Sequence, residues 1–119
     1  MAIHSSGEMY LETIYMLHSG LGEVHALDVS RRMSYSKPSV SRALKRLSLD
    51  GYISVDECCH ITLTQAGREI ADKMYERHTI LTRMLTRLGV DERIAANDAC
   101  EIEHVISDET FEAIKRHIG

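Results

Sequence analysis

The chain has 119 residues, with 14 Lys+Arg against 18 Asp+Glu and a formal net charge of -4 at pH 7. Hydrophobic residues make up 44% and charged residues 27%, a balance that excludes wholesale disorder. No apolar run approaches the roughly 18 residues of a membrane span, and the N-terminus lacks the basic and apolar regions of a secretory signal. The 3 cysteines are odd in number and two of them, Cys58 and Cys59, are adjacent. That argues against a disulfide framework and for a reducing cytoplasm.

The length predicts one domain, or two small lobes sharing a core. A single proline, Pro38, predicts a mainly helical chain. Apolar spacing predicts a first helix from Gly7 to His18, with Ser5 or Ser6 as N-cap and an end at Gly20 and Gly22. A short second helix fits His25 to Met33, with Leu27, Val29 and Met33 facing inward. Ser34-Tyr35-Ser36 reads as a turn. Ser36 is placed to cap a third helix with Pro38 in its first turn, where a missing N–H costs nothing. That helix runs through Val40, Leu44, Leu47 and Leu49 to Asp50-Gly51. Tyr52–Val55 and His60–Leu63 alternate and predict a β-hairpin joined by Asp56 to Cys59. Thr64 then caps a long helix ending at Gly89. Asp91 caps another, containing Ile94, Cys100, Ile102 and Val105. Ser107 starts the last, through Phe111, Ile114 and Ile118.

Two short helices, a tight turn, a Ser/Pro-started helix and a hairpin are the order of a winged helix-turn-helix. The charge distribution agrees. Between Arg31 and Asp50, six basic residues face Asp50 alone; from Val90 onward, eight acidic residues face three basic ones. The small net charge therefore hides a strongly basic segment. Ser36, Lys37, Pro38, Ser39, Ser41, Arg42 and Lys45 occupy the candidate recognition helix and its start. Short hydroxyls allow close approach to double-stranded DNA, and Arg42 suits a guanine edge or a phosphate.

A second signal is Cys100-x-x-Glu103-His104. Offsets of three and four put these side chains on one helical face. Thiolate, carboxylate and imidazole together describe a transition-metal site. By themselves the same residues also fit a small buried hydrophobe, Cys100, with two solvated neighbours, Glu103 and His104. Met9 and Glu12, three apart, and His78 on the long helix offer further donors.

These segments together resemble the diphtheria toxin repressor/manganese transport regulator (DtxR/MntR) family of metal-dependent repressors. The resemblance rests on Glu8–Leu17, Ser36–Arg42, Leu49–Tyr52, Leu63–Gly67, Arg77-His78 and Ala99–Glu109. It implies an N-terminal winged helix-turn-helix DNA-binding domain (1–70) and a helical metal-binding and dimerisation domain (71–119). The chain would end as the shorter manganese regulators do, without the SH3-like domain of the iron repressors. The implied metal ligands are Met9, Glu12, His78, Cys100, Glu103 and His104. Met9 and Cys100 are iron-type, whereas Glu12 is manganese-type. The remaining ancillary ligands of the iron repressors fall on Thr82 and Ala96, which cannot serve.

The resemblance thus implies a cytoplasmic, non-enzymatic repressor of metal-ion homeostasis, activated by Fe(II) or Mn(II). It implies a homodimer, formed through Ile94, Ala95 and their apolar neighbours, on an operator DNA. A thioether and a thiolate favour Fe(II) over Mn(II). The alternative is a winged-helix regulator sensing Zn(II), Ni(II), Co(II) or a non-metal signal. No nucleophile–base pair or phosphate loop supports an enzyme, and no counterpart in the family gives Cys58 or Cys59 a role.

Overall fold

The computed structural model describes residues 5–118, so the first four residues read above for a secretory signal lie outside it. Six helices and one hairpin follow in the order α1 (Ser5–Leu21), α2 (Ala26–Met33), α3 (Lys37–Leu49), β1 (Ile53–Val55), β2 (Ile61–Leu63), α4 (Gln65–Arg87), α5 (Glu92–Ile102) and α6 (Asp108–Ile118). The fold is mainly helical, as the sequence predicts. A first compact unit runs to Asp72 and a second begins at Lys73.

The first unit is a winged helix-turn-helix. Its core brings together Leu11 and Ile14 of α1, Val29 of α2, Val40, Leu44 and Leu47 of α3, and Ile53 and Ile61 of the hairpin. The strands are antiparallel, with Ser54 opposite Thr62. They are shorter than predicted, because Tyr52 and His60 lie outside them. The Ile61 N–H donates to the Val24 carbonyl at 2.8 Å, tying β2 to the segment before α2. Ser5 and Ser6 lie inside α1, so its N-cap falls outside the described residues. Gly20 is helical too; the chain turns only at Gly22, whose φ of +79° suits glycine.

His25 caps α2, and its N–H donates to the Asp28 carboxylate at 2.9 Å. Val29 is buried as expected, whereas Leu27 is exposed. Ser36 caps α3 and accepts from the Ser39 N–H. Leu49, in the last turn of α3, is 75% exposed. Thr64 caps α4 by accepting from the Gly67 N–H at 3.2 Å, while its own hydroxyl donates to the Gly51 carbonyl at 2.7 Å. Gly67 allows α4 to start against the hairpin: a Cβ there would lie 2.1 Å from the Tyr52 carbonyl oxygen.

In the second unit, Met74 and Leu81 of α4, Ala95 and Ala99 of α5, and Phe111 of α6 are buried. α4 ends as predicted near Gly89, where φ reaches +101° and the Val90 N–H returns to the Leu85 carbonyl. Asp91 and Ser107 cap α5 and α6 through the Arg93 and Thr110 N–H groups. Of the two residues expected at a dimer contact, Ile94 is exposed, while Ala95 is buried within the chain's own fold.

Candidate metal centre and DNA-binding surface

The three ligand types Cys100, Glu103 and His104 do not all lie within the helix. α5 ends at Ile102, so only Cys100 belongs to it. Glu103 is its C-cap, and His104 lies in the turn that follows. The reason is a tightening of the last turn. The Glu103 N–H still reaches the Ala99 carbonyl, but the His104 and Val105 N–H groups donate to Glu101 and Ile102, three residues back. Val105, expected on the helix, is 82% exposed beyond its end.

The turn nevertheless gathers donors. Glu103 is 0% exposed. Its Oε1 lies 2.9 Å from His78 Nδ1, which α4 supplies. Its Oε2 has no hydrogen-bond partner among the described residues. A ligand atom of His104 lies within 4.8 Å of a Glu103 carboxylate oxygen. Cys100 is a half-buried thiol one turn earlier. A buried acceptor left unsatisfied costs roughly 1–3 kcal/mol, and more when it is charged. A cation removes that cost. The donor set, a thiol, two imidazoles and a carboxylate, fits a first-row transition ion better than Mg(II) or Ca(II).

Sequence reasoning missed Arg77. It is 4% exposed. Its Nη1 donates to the carbonyls of Glu103 at 3.0 Å and Ile106 at 2.7 Å, and its Nη2 to the Asp108 carboxylate. The guanidinium also stands 5.5 Å from the centre of the Phe111 ring. Lys73 and Arg77 together hold the Asp108 carboxyl below the usual carboxylate range. The bonded partners lie 26 to 31 residues away, and two of them are main-chain carbonyls. No spacing pattern signals such contacts.

The first unit carries Met9 and Glu12 on α1. Their spacing of three puts both on one face. Met9 is half-buried and Glu12 is 6% exposed, an unusual burial for a carboxylate.

The candidate DNA surface is also in the first unit. Ser36, Lys37, Pro38, Ser41, Arg42 and Lys45 are exposed. Ser39 is half-buried, and its hydroxyl accepts from Ser36 at 2.9 Å, so its main role is in the cap. Arg46 is committed to Asp50 at 3.1 Å. The wing turn between the strands is ordered by Asp56, whose Oδ1 accepts the Cys58 and His60 N–H groups at 2.9 Å each. These bonds, His60 first, lower the Asp56 carboxyl below its ordinary value. Cys58 and Cys59 are exposed there, Cys59 with φ of 63°.

Residues 3–61 match the model for the N-terminal DNA binding domain of iron dependent repressors, and residues 64–119 match that for their metal binding and dimerisation domain. The chain is similar to the transcriptional regulator MntR of Escherichia coli O6:H1, at 37% identity over 106 residues, which cover 89% of this chain and 68% of MntR. The chain belongs to the DtxR/MntR family of metal-dependent transcriptional regulators. An HTH-type transcriptional regulator of Methanocaldococcus jannaschii is 33% identical over 110 residues, covering 91% of this chain and 88% of that one. Among solved structures, a manganese-dependent transcriptional repressor in complex with manganese superposes with a TM-score of 0.86 at 26% identity, covering 95% of this chain. The chain spans 52% of that structure's length. Among the described residues of this DtxR/MntR member, no helix is long and apolar enough to cross a membrane.

Proposed function

We propose that this DtxR/MntR member is a cytoplasmic repressor that binds operator DNA as a homodimer when loaded with Fe(II) or Mn(II). The observation that carries the reading is Glu103. Its carboxylate is buried, with one oxygen held by His78 and the other without a hydrogen-bond partner among the described residues. Such a group is set for a cation.

His78, Cys100, Glu103 and His104 form the ligand set of the second unit, and Met9 and Glu12 of α1 are the ligand candidates of the first. When bound, the cation supplies the positive charge that neutralises the buried carboxylate. Glu103 fixes the His78 ring through Nδ1, which orients the ring and leaves Nε2 for ligation. Among these candidates, Cys100 and Met9 are soft donors of the kind that favours Fe(II), whereas Glu12 and Glu103 are oxygen donors of the kind that suits Mn(II). On the DNA side, Lys37, Arg42 and Lys45 neutralise phosphates, while Ser41 and Arg42 approach base edges. Ile94 joins the apolar contact between the two copies. The ligands can shift the DNA-binding equilibrium only by their differential affinity, a coupling of about 1–3 kcal/mol.

Operator binding, measured anaerobically with Fe(II) and Mn(II) titrated separately, tests the reading. Either metal is expected to tighten binding by about tenfold or more, and Cys100→Ala or His104→Ala to abolish the gain. Operator affinity indifferent to both metals would overturn it.

A further inference from the structure

We propose that Arg77 is a positioning residue for the metal centre: its guanidinium sets the Glu103–Ile106 turn before any metal arrives. The inference rests on the metal-site reading above, and it concerns a residue that ligates nothing.

The argument begins with the end of α5. A helix C-terminus leaves carbonyls without donors and carries partial negative charge. Here the chain continues into a turn that must present a buried carboxylate and an imidazole together. Arg77 Nη1 reaches the Glu103 and Ile106 carbonyls, which bracket that turn. Nη2 bonds Asp108, in the first turn of α6. The guanidinium thus joins the negative end of α5 to an acidic residue at the start of α6. A planar fork can span these three acceptors; an ammonium donates from a single point. Phe111 packs beside the guanidinium, and only Nε lacks a partner among the described residues.

Arg77 also precedes His78 on α4. Consecutive residues of one helix therefore hold Glu103 by its main-chain carbonyl and by its carboxylate. If the carbonyl contact is lost, the turn is free to rotate, and Glu103 and His104 no longer converge. Groups that orient ligands in this way typically matter by about 10–100-fold in metal affinity.

The test uses the whole chain, first metal-free and then titrated with Mn(II) by calorimetry. Arg77→Met keeps the apolar stem and removes every donor. The expected result is about tenfold faster amide exchange at Val105 and Ile106 in the metal-free protein, unchanged exchange in α3, and about tenfold weaker Mn(II) binding. Arg77→Lys should recover part of both losses. Exchange and affinity within about twofold of the wild type would overturn the proposal, as would weaker binding without faster exchange. If Arg77→Met does not fold, Asp108→Asn decides, because this exposed carboxylate anchors the guanidinium and is not one of the proposed ligands. It should weaken Mn(II) binding by a few-fold, and unchanged affinity would count against the proposal. Should the wild type take up neither Mn(II) nor Fe(II), the metal reading fails, and the exchange measurement alone judges the clamp.

Discussion

His78 Nδ1 lies 2.9 Å from the Glu103 carboxylate, across the space between α4 and the end of α5. The pair offsets only part of the cost of burying the Glu103 carboxylate: one oxygen is held by an imidazole, while the other has no hydrogen-bond partner among the described residues. It also makes His78 and Glu103 interdependent. Neither has its full geometry without the other.

Metal preference should follow donor softness. Met9→Asp combined with Cys100→Glu replaces both proposed sulfur ligands with oxygen. The ratio of Mn(II) to Fe(II) affinity is expected to rise by about tenfold, near 1.4 kcal/mol. Anaerobic titration of each metal against the double variant measures it. An unchanged ratio would show that sulfur does not set selectivity here.

On the DNA side, Arg42 and Arg46 should behave differently. Arg42 is exposed on α3, whereas Arg46 already pairs with Asp50. Arg42→Ala is expected to weaken operator binding and to reduce the salt-dependence slope by about 1. Arg46→Ala should change the slope less. Fluorescence anisotropy across a salt series distinguishes them.

Gly67→Ala tests the packing of α4 on the hairpin. The added methyl would lie 2.1 Å from the Tyr52 carbonyl oxygen, and main chain cannot swing aside as a flexible side chain can. A loss of about 3 kcal/mol is expected in urea unfolding, although alanine is the better helix former. A neutral result would mean that the start of α4 shifts freely.

Acid should loosen the second unit through Asp108. Lys73 and Arg77 keep its carboxyl below the ordinary value of 3.8. The contribution is therefore fully present above that value and is lost as pH falls through the lower, folded-state one. Asp108→Asn should flatten this part of the acid dependence. Thermal unfolding followed from about pH 6 down to about pH 2 shows whether it does.

The winged helix was legible because its signals are local. Ser36 and Pro38 mark a helix start, the alternation around Ile53 and Ile61 marks strands, and basic residues crowd one short segment. Candidate donor types were visible too, since Cys100, Glu103 and His104 are close in sequence. Their geometry was not. Spacing alone continues α5 through Val105, whereas the tertiary contacts of Arg77 reward a turn after Ile102. Leu27 failed in the opposite sense: its type predicts an inward-facing side chain, but the face it occupies is left exposed. Gly20 shows that a glycine need not stop a helix where a second one two residues later can take the positive φ.

The hold of Arg77 on Glu103 and Ile106 has a further consequence. It grips carbonyl oxygens, which every amino acid supplies, rather than side chains. This part of the frame therefore does not depend on which side chains residues 103 and 104 carry. Donors in this turn can be exchanged, one chemistry for another, without dismantling the frame that presents them. A protein built this way can acquire a taste for a different ion by substituting a few side chains, while its architecture stays as it was.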